Sequence, residues 1–585
     1  MNTEWSLDAL YTSLDSNEFV QDRSKLTELL NHYNQVVGAL TKAPTREQLE
    51  SLLHLQEDII VLASRLMSYL MLSQATNTSN SEVASLIGQM EELLSSSSKS
   101  DAKMTKLIAS IDDLQDMMNE SEYLKSYEFL LLKIRENAAH TLSDEVEEVI
   151  AKLNQSAGSA WSMLQQYVTS TVTVDYLGEE LTLSDVRNLA YDKDPVVRKN
   201  AYDAELACYE KIKDSVCFSL NNIKSQVNTI AELRGYESPL DMTLENADMK
   251  RETLDALLLA IEEYLPVFRK YLKVKGELLG SKNGLAWYDM FAPVGECTMS
   301  FTLEEAQAFL LEQFSSFSPD LAAMAKEAFD HSWIDYYPRK GKTGGAFCQN
   351  LPFIKQSRIL TNFDGKLGSV VTLAHELGHA YHGLHIQDHL PLNTEYSMQL
   401  AETASTMNEN IVMEAILAKA NDAEKLTLLE SQLQDMTQII VDIYSRYLFE
   451  KSVFELRKTN FLYPEDLCNL MLEAQKKAYG DGLDASTLHP YMWLCKSHYY
   501  DGEYNYYNFP YAFGGLFAKG LYRQYKKEGK DFIPKYQQLL HATTVHTSEE
   551  VAMMAGIDIT KPDFWKESLQ AVAENIEEFI LLSGI

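Results

Sequence analysis

Residues 371–382 read Val-Thr-Leu-Ala-His-Glu-Leu-Gly-His-Ala-Tyr-His and contain the pattern His-Glu-x-x-His. On an α-helix, residues four apart lie one above the other with Cβ atoms about 5–6 Å apart, so His375 and His379 can direct ring nitrogens toward one metal ion. Glu376 is too close along the chain to bind the same ion, but its carboxylate can reach a water on that ion. The pattern therefore predicts two zinc ligands and a general base.

The residues around this pattern favour a helix. Ser369 can serve as its N-cap, and Gly383 is a residue at which it can end. A wide apolar stripe is formed by Val370, Val371, Leu373, Ala374, Leu377 and Ala380. Polar side chains on such a helix are costly to bury without a partner, and a bound metal ion supplies one.

Two residues compete for the role of third ligand. His385 lies ten residues after His375, as in the metzincin pattern, but that pattern requires glycine where this sequence has His382. The alternative is Glu402, in the segment 398–410, which predicts the start of a second helix. A carboxylate from a neighbouring helix completes a site of two histidines and one glutamate. The spacing favours Glu402.

The second predicted helix carries another carboxylate. Glu409 follows Glu402 by two helical turns and lies on the same face. There it can accept a hydrogen bond from a ligand imidazole and fix its tautomer. The sequence thus predicts one zinc ion with a supporting glutamate.

Length and charge limit the classes of protein that need consideration. At 585 residues the chain is expected to form at least two lobes, which we place at 1–185, ending in a short hairpin, and at 186–585. The net charge of −34 argues against binding to nucleic acid or to an anionic membrane, since both require clustered lysine and arginine.

The apolar periodicity predicts a mainly α-helical fold. Helical spacing extends from Ser24 to Leu132 and again from Asp185 to about Leu279. The β-branched run 168–174 and the segment 181–183 predict a hairpin between them. The segment 333–363 predicts a small β-sheet near the zinc site.

The sequence also indicates a compartment. The N-terminus has neither a basic segment nor an apolar segment of the secretory type. The most apolar early window, Ile59 to Leu72, is interrupted by Arg65 and is too short to span a bilayer. Six cysteines without a Cys-x-x-Cys pair fit free thiols in a reducing environment. We expect a soluble cytoplasmic protein.

The strand-like segment 336–348 contains three glycines. Gly344 and Gly345 have no Cβ, so another backbone can approach them closely. If this strand, which also contains Ala346, borders a cleft, an extended peptide can add to it through main-chain hydrogen bonds. An ordinary glycine-rich hairpin is the alternative interpretation.

Several of these motifs together resemble a known family. The segments 375–382 and 402–405, with Arg-Lys-Gly-Lys at 339–342 and Gly-Gly-Ala at 344–346, are similar to the oligoendopeptidase F branch of the thimet-oligopeptidase family of zinc metallopeptidases. The resemblance covers roughly Asp175 to the C-terminus. It implies a two-lobed helical ellipsoid with a deep substrate channel, and zinc bound by the two histidines and Glu402. It also implies cleavage of short unstructured peptides by an enzyme that uses Glu376 as the base.

A cluster of tyrosines near the C-terminus extends the resemblance. Peptide hydrolysis needs a donor aimed at the oxygen that becomes negative, and a tyrosine hydroxyl or a histidine N–H can supply it. The resemblance implies that His498, Tyr507 and Tyr511 contact the substrate or the transition state, with Tyr504 as an alternative contact. Without it, a tyrosine-rich run indicates a packed surface.

The predicted function is hydrolysis of internal bonds in oligopeptides by a zinc endopeptidase. Two alternatives stay open at this point. A zinc dipeptidyl carboxypeptidase could use the same site, with a cation to hold the terminal carboxylate. An inactive helical peptide-binding protein is the other alternative.

Overall fold

The computed structural model describes residues 2–296 and 299–585, and it is 72% helical with two small sheets. The first helices in chain order are α1 (Asn17–Ala39), α2 (Arg46–Thr76), α3 (Ser81–Ser95), α4 (Ser98–Ala109), α5 (Leu114–Glu120), α6 (Glu122–Ser126), α7 (Glu128–Asn137), α8 (Asp144–Ser156), α9 (Gly158–Thr171), α10 (Leu183–Asn188), α11 (Pro195–Leu233) and α12 (Pro239–Asn246). They are followed by α13 (Arg251–Leu278), α14 (Leu303–Phe317), α15 (Pro319–Asp330), α16 (Leu367–Ile386), α17 (Met398–Ala401), α18 (Thr403–Lys419), α19 (Asp422–Thr437), α20 (Ile443–Arg457), α21 (Pro464–Tyr479), α22 (Phe509–Glu528), α23 (Ile533–Ala542), α24 (Ser548–Met554) and α25 (Pro562–Ser583). The predicted mainly α class is confirmed.

The chain forms two compact units, each built from three separate segments. The first unit comprises Met1–Thr141, Met299–Ala415 and Glu528–Ala555. The second comprises Leu142–Thr298, Ile416–Lys527 and Gly556–Ile585. The predicted boundary between 185 and 186 stays a prediction.

The first unit is held together by two apolar clusters. Helices α1, α2 and α3 bury one cluster, to which Leu26, Leu66 and Leu70 belong. A second cluster joins α1 and α2 to the helices α4 to α7, through Tyr33 and Leu131 among others. Burial of this apolar surface is the main force that fixes the helices, since each fully buried leucine contributes about 1.5–3 kcal/mol.

The two sheets are small, as the sequence predicts. The strands β1 (Thr173–Tyr176) and β2 (Glu179–Thr182) form an antiparallel hairpin. The strands β3 (Ile334–Asp335), β4 (Phe347–Leu351) and β5 (Gln356–Leu360) form a sheet with the order β3-β5-β4. Strand β4 therefore lies at an edge, where it pairs only with β5 among the described strands.

The predicted start of the hairpin is wrong. Val168 and the residues up to Thr171 continue α9, although their β-branched side chains favour a strand. The hydroxyls of Thr169 and Thr171 donate to the carbonyl oxygens of Gln165 and Tyr167, one turn earlier, at 2.8 and 2.7 Å. These bonds accommodate threonine within the helix.

One helix is longer and more apolar than the sequence analysis allowed. Helix α2 contains an 18-residue window of mean hydropathy 1.3, of which 33% is buried. By length and composition it is the one described helix that could cross a membrane. A helix packed in a protein core passes the same test, and Leu62, Leu66 and Leu70 of α2 are buried in the first cluster. The finding is therefore weak support for a membrane span.

The cysteines in the described residues are free thiols. They are Cys208, Cys217, Cys348, Cys468 and Cys495. The sixth, Cys297, lies outside the described part of the chain.

Candidate metal centre

Helix α16 carries the His-Glu-x-x-His pattern, as predicted, but its ends differ from the prediction. It begins after Lys366, and Ser369 lies inside its first turn with its hydroxyl on Asp364 instead of capping the helix. It also continues past Gly383 to Ile386. A Cβ on Gly383 would lie 2.3 Å from the Asn350 side chain, so this glycine serves close packing and does not end the helix.

Helices α16 and α18 approach each other closely at Gly378. A Cβ at this position would lie 2.4 Å from the Cα of Ser405 and 2.5 Å from the carbonyl oxygen of Ala404. Because glycine has no Cβ, the two backbones can touch here. The side chain of Asn408 also donates to the carbonyl oxygen of Ala374 at 3.1 Å. These contacts fix α18 against the helix that carries the two histidines.

The three predicted ligands lie together in the first unit. The Nε2 atoms of His375 and His379 are 3.2 Å apart, and Glu402 Oε2 is 3.2 Å from the first and 3.5 Å from the second. Ligand atoms that surround zinc tetrahedrally at 2.0–2.1 Å are about 3.3 Å from one another. The donor set and its spacing therefore fit a zinc ion with three protein ligands.

The protonation of this cluster also fits a cation. Burial lowers the pKa of His375, but its hydrogen bonds to Glu402 and Glu409 outweigh burial and raise the pKa to about 10. Burial raises the pKa of Glu402, but its hydrogen bond to His375 and the charge of His379 bring the pKa to about 2. The two carboxylates thus keep the His375 imidazole protonated, which places a positive charge where the three ligands meet. A bound metal ion would supply that charge instead of the proton.

Other residues orient the ligands. Nδ1 of His375 donates to Glu409 Oε1 at 2.5 Å, which leaves Nε2 free to face Glu402. The hydroxyl of Ser405 donates to Glu402 Oε2 at 2.7 Å, and the side chain of Asn350 donates to the carbonyl oxygen of His379 at 3.3 Å. Sequence reasoning singled out Glu409 but missed Asn350, for which no local pattern exists. Ser405 belongs to the motif at 402–405, whose spacing could have identified it.

Glu376 lies beside the ligands without a partner for one oxygen. Its side chain is 5% exposed, and its Oε2 accepts no hydrogen bond among the described residues. Burial raises the pKa of Glu376 to about 7; His375 opposes this shift, and the carboxylates of Glu402 and Glu409 add to it. A buried carboxylate with an unused acceptor and a pKa near neutrality can take up a proton from a bound water.

The alternative third ligand lies elsewhere. His385 is still on α16, and its Nε2 is 3.7 Å from Asp320 Oδ2. Its ring packs edge-on against Tyr381, with 4.6 Å between the centroids. Since the helix continues through His385, no turn can bring it back to the other two histidines.

The glycine-rich segment leads into the edge strand. Gly345 has φ +76°, in the region that favours glycine, and no atom lies within 4 Å of a Cβ built on Gly344 or Gly345. The side chain of Asn362 donates to the carbonyl oxygen of Gly345 at 2.8 Å. Ala346 is the last residue before β4. The segment is therefore held in place on one side and has open space beside both glycines.

The predicted aromatic cluster belongs to the second unit. The ring centroid of His498 is 4.9 Å from that of Tyr507 and 6.1 Å from that of Tyr511, and the two tyrosines are 5.6 Å apart. Tyr504 is 63% exposed and, within the described residues, forms no ring contact with these three. Burial lowers the pKa of His498, and the cations Arg446 and Lys496 lower it further. The imidazole is therefore neutral at physiological pH and carries one N–H donor.

A buried ion pair holds the loop that carries these tyrosines. Lys224 and Glu450 are each about 1% exposed, with Nζ and Oε1 2.7 Å apart. Glu450 also accepts hydrogen bonds from the Tyr506 backbone at 3.2 Å and from the Asn508 side chain at 2.8 Å. Tyr506 has φ +52°, which is uncommon for a residue other than glycine. The carboxylate of Glu450 thus fixes the backbone on both sides of Tyr507.

Comparison with known proteins agrees with the geometry of the candidate metal centre. The model of the family described as peptidase family M3 matches residues 188–571, which is more than half of the chain. The chain belongs to peptidase family M3. A second model, described as oligopeptidase F, matches residues 109–173. The family resemblance seen in the sequence is confirmed.

Curated relatives are similar to most of this chain. Oligopeptidase PepF of Bacillus subtilis is 26% identical over 586 residues, covering 98% of this chain and 86% of that protein. Group B oligopeptidase PepB of Streptococcus agalactiae is 29% identical over 476 residues, covering 80% of this chain and 78% of that protein. The M3 family comprises metallopeptidases, and this chain is a metalloendopeptidase.

Solved structures share the fold. Oligoendopeptidase-F from Enterococcus faecium superposes with a TM-score of 0.70 at 21% identity, covering 97% of this chain and 98% of that one. A Chlamydophila abortus protein proposed to be a peptidase superposes with a TM-score of 0.85 at 20% identity, covering 99% and 98%. At these identities the likeness establishes the fold alone.

Proposed function

We propose that this chain is a zinc-dependent endopeptidase that hydrolyses internal bonds of short, unstructured oligopeptides in the cytoplasm. The observation that carries the proposal is the triangle of ligand atoms from His375, His379 and Glu402, with the carboxylate of Glu376, whose Oε2 accepts no hydrogen bond among the described residues, beside it. The names of the relatives support oligopeptides as substrates, since both Bacillus PepF and Streptococcus PepB are oligopeptidases.

The residues of α16 and the two glutamates beside it have separate roles in the reaction. A zinc ion held by the two histidines and Glu402 would polarise the scissile carbonyl group and make a water molecule more acidic. Glu376 takes a proton from the attacking water and returns it to the leaving amine. Burial raises its pKa, and this shift favours a carboxylate that accepts the proton and later releases it. Glu409 keeps a proton on Nδ1 of His375 and so leaves Nε2 available as a ligand.

We assign the stabilisation of the oxyanion to His498 and Tyr507. A neutral imidazole N–H and a phenol can each donate to the oxygen that becomes negative. Tyr511 and Tyr504 would contact the substrate, as the family resemblance implies. The packing of three of these rings within the second unit and the buried carboxylate that fixes their loop support these roles.

Substrate binding would use the edge of the small sheet. An extended peptide can add to β4, and Gly344 and Gly345 leave room for its backbone. Ala346, the residue before β4, would contact it as well. Main-chain hydrogen bonds of this kind do not depend on side chains, which suits an enzyme that accepts many sequences. A folded protein cannot offer an extended segment without unfolding locally.

The test uses an internally quenched peptide of about ten residues, blocked at both ends, and protein of measured zinc content. We expect cleavage at internal bonds, loss of cleavage with a chelator and recovery with zinc. Glu376→Gln should bind zinc as the wild type does and lose about 10²–10⁴-fold in kcat. Cleavage of only a peptide with a free C-terminus would establish the dipeptidyl carboxypeptidase instead, and absence of zinc would favour the binding protein.

A further inference from the structure

The first unit contains a cavity of about 610 Å³ that the mechanism does not use. It lies between α2, β4 and α16, and its walls include Ile60, Met67 and Met71 of α2. Its volume is typical of a ligand site, since such pockets measure about 300–1,000 Å³. Ile60 and Met71 are 40% and 52% exposed, so large apolar side chains face open space here.

The cavity lies along the ligand face of α16. Gly383 and Ile386 line it, four and seven residues after His379. Residues with this spacing share one face of a helix. At 1.5 Å per residue, they are about 6 and 10 Å along the axis from the histidine. An extended peptide covers this distance with about two to three residues, at roughly 3.3 Å each.

The edge strand connects the cavity to the metal centre. Gln349 and Asn350 of β4 line the cavity, and the Asn350 side chain also donates to the carbonyl oxygen of His379. Successive side chains of an extended peptide point to opposite sides. A peptide laid along β4 and held over the metal ligands would therefore direct one side chain into this space.

The walls define the chemistry of the occupant. Besides the α2 side chains, Phe353 and Ile386 supply apolar surface. The lining also has polar side chains, among them Gln349 and Glu395, but no lysine or arginine among the described residues. An acidic side chain would therefore meet the carboxylate of Glu395 without a cation to pair with. Methionine side chains adapt to differently shaped apolar groups. A large apolar side chain gains most by leaving water in such a site.

We propose that this cavity binds a large apolar side chain of the peptide, such as leucine, methionine or phenylalanine, two or three residues from the cleaved bond. It is thus a specificity site of the reaction, and the inference rests on the proposed function. We assign the preference mainly to the α2 wall, where Ile60, Met67 and Met71 line the cavity.

The test compares blocked peptides that differ at one position, with leucine, phenylalanine, glycine, aspartate or lysine placed two or three residues to either side of the bond. At one of these positions, kcat/KM for leucine or phenylalanine should exceed that for glycine by about tenfold or more. A flat profile, or a preference for aspartate or lysine at that position, would overturn the proposal.

Variants of α2 locate the effect. Ser64 lines the cavity, and Ser64→Trp should fill it and bring the leucine-to-glycine ratio close to one. Met71→Asp, at a half-exposed position that tolerates a carboxylate, should lower the ratio as well. Ser51 lies on an exposed part of the same helix, so the control variant Ser51→Trp should keep the wild-type ratio. An unchanged ratio in both cavity variants would contradict the assignment.

Binding separates this proposal from the proposed function. The Glu376→Gln protein can be titrated with the same peptides by fluorescence anisotropy, and the leucine peptide should bind about tenfold more tightly than the glycine peptide. If wild-type protein cleaves the peptides without discrimination, the cavity assignment fails and the peptidase stands. If nothing is cleaved but binding discriminates, the peptidase assignment fails and the cavity assignment stands.

Discussion

Replacing Gly378 with alanine should weaken metal binding without touching a ligand. The new Cβ would lie 2.4 Å from the Cα of Ser405, whereas ordinary contacts begin at 3.4 Å, so the two backbones must separate by about 1 Å. His375 Nε2 and Glu402 Oε2, which are 3.2 Å apart, lie on the two segments that must separate, so we expect this distance to increase. A triangle of ligand atoms widened by that amount no longer fits bonds of 2.0–2.1 Å. We expect zinc affinity to fall by about 10–100-fold, as for other changes around metal sites.

The assay is a competition between the metal-free protein and a chromophoric chelator for zinc, followed by thermal unfolding with and without the metal. Overpacking should also reduce the free energy of unfolding by about 1–3 kcal/mol. Gly368→Ala is the matched control, since it lies on the same helix and its Cβ would have no atom within 4 Å. The control should bind zinc within about twofold of the wild type, because no neighbour has to move.

Wild-type zinc affinity in Gly378→Ala would refute this reasoning. It would mean that α18 can move away from α16 without carrying Glu402 with it, or that the carboxylate is not a ligand. Glu402→Ala measured in the same assay distinguishes the two explanations, because only in the first does removal of the carboxylate weaken binding.

Three further changes test other parts of the molecule. Glu409→Ala removes the acceptor of the ligand imidazole and should weaken zinc binding about 10–100-fold in the competition assay, with recovery in Glu409→Gln, which keeps an acceptor. Glu450→Gln leaves its buried lysine partner unpaired and should reduce the urea-derived free energy of unfolding by about 3–5 kcal/mol, whereas the exposed Glu455→Gln should change it by less than about 0.5 kcal/mol. Burial and nearby cations depress the pKa of His498. Below pH 6.5 the unfolded chain therefore takes up a proton that the folded chain does not, so the free energy of unfolding decreases as the pH is lowered. His498→Gln should lose less stability than the wild type between pH 7.5 and 5.5, and Lys496→Met should raise the pKa of His498 in an NMR titration; no change in either would contradict this account.

The metal ligands could be predicted from the sequence where the residues concerned lie close together along the chain. The spacing of His375 and His379 on one turn of a helix is visible in five residues. The nearness of Glu402 followed from a plausible second helix, and Glu409 from the periodicity of that helix. The roles of Gly378 and Asn350 could not be predicted, because each depends on a contact with a segment distant along the chain.

The fold class was predictable because helical periodicity extends over long segments, whereas element ends depend on neighbours. Ser369 satisfies the composition of an N-cap, but its hydroxyl binds Asp364 instead. Val168 and Thr171 favour strands by themselves and are helical because the hydroxyls of this segment bond to the preceding turn. The apolar surface of α2 that faces the cavity follows from the arrangement of three elements, which no local pattern encodes.

The division of the first unit into three segments has a consequence during synthesis. The C-terminal half of α16 packs against the last segment, where His382 Nε2 and Thr543 Oγ1 are 2.8 Å apart and His541 Nδ1 donates to the carbonyl oxygen of His385. A ribosome adds Glu402 126 positions before Glu528, the first residue of that segment. At about 5–20 residues per second, roughly 6–25 s pass between the synthesis of the last metal ligand and the start of the segment that packs against α16. The metal centre is therefore among the last parts of the nascent chain to become rigid.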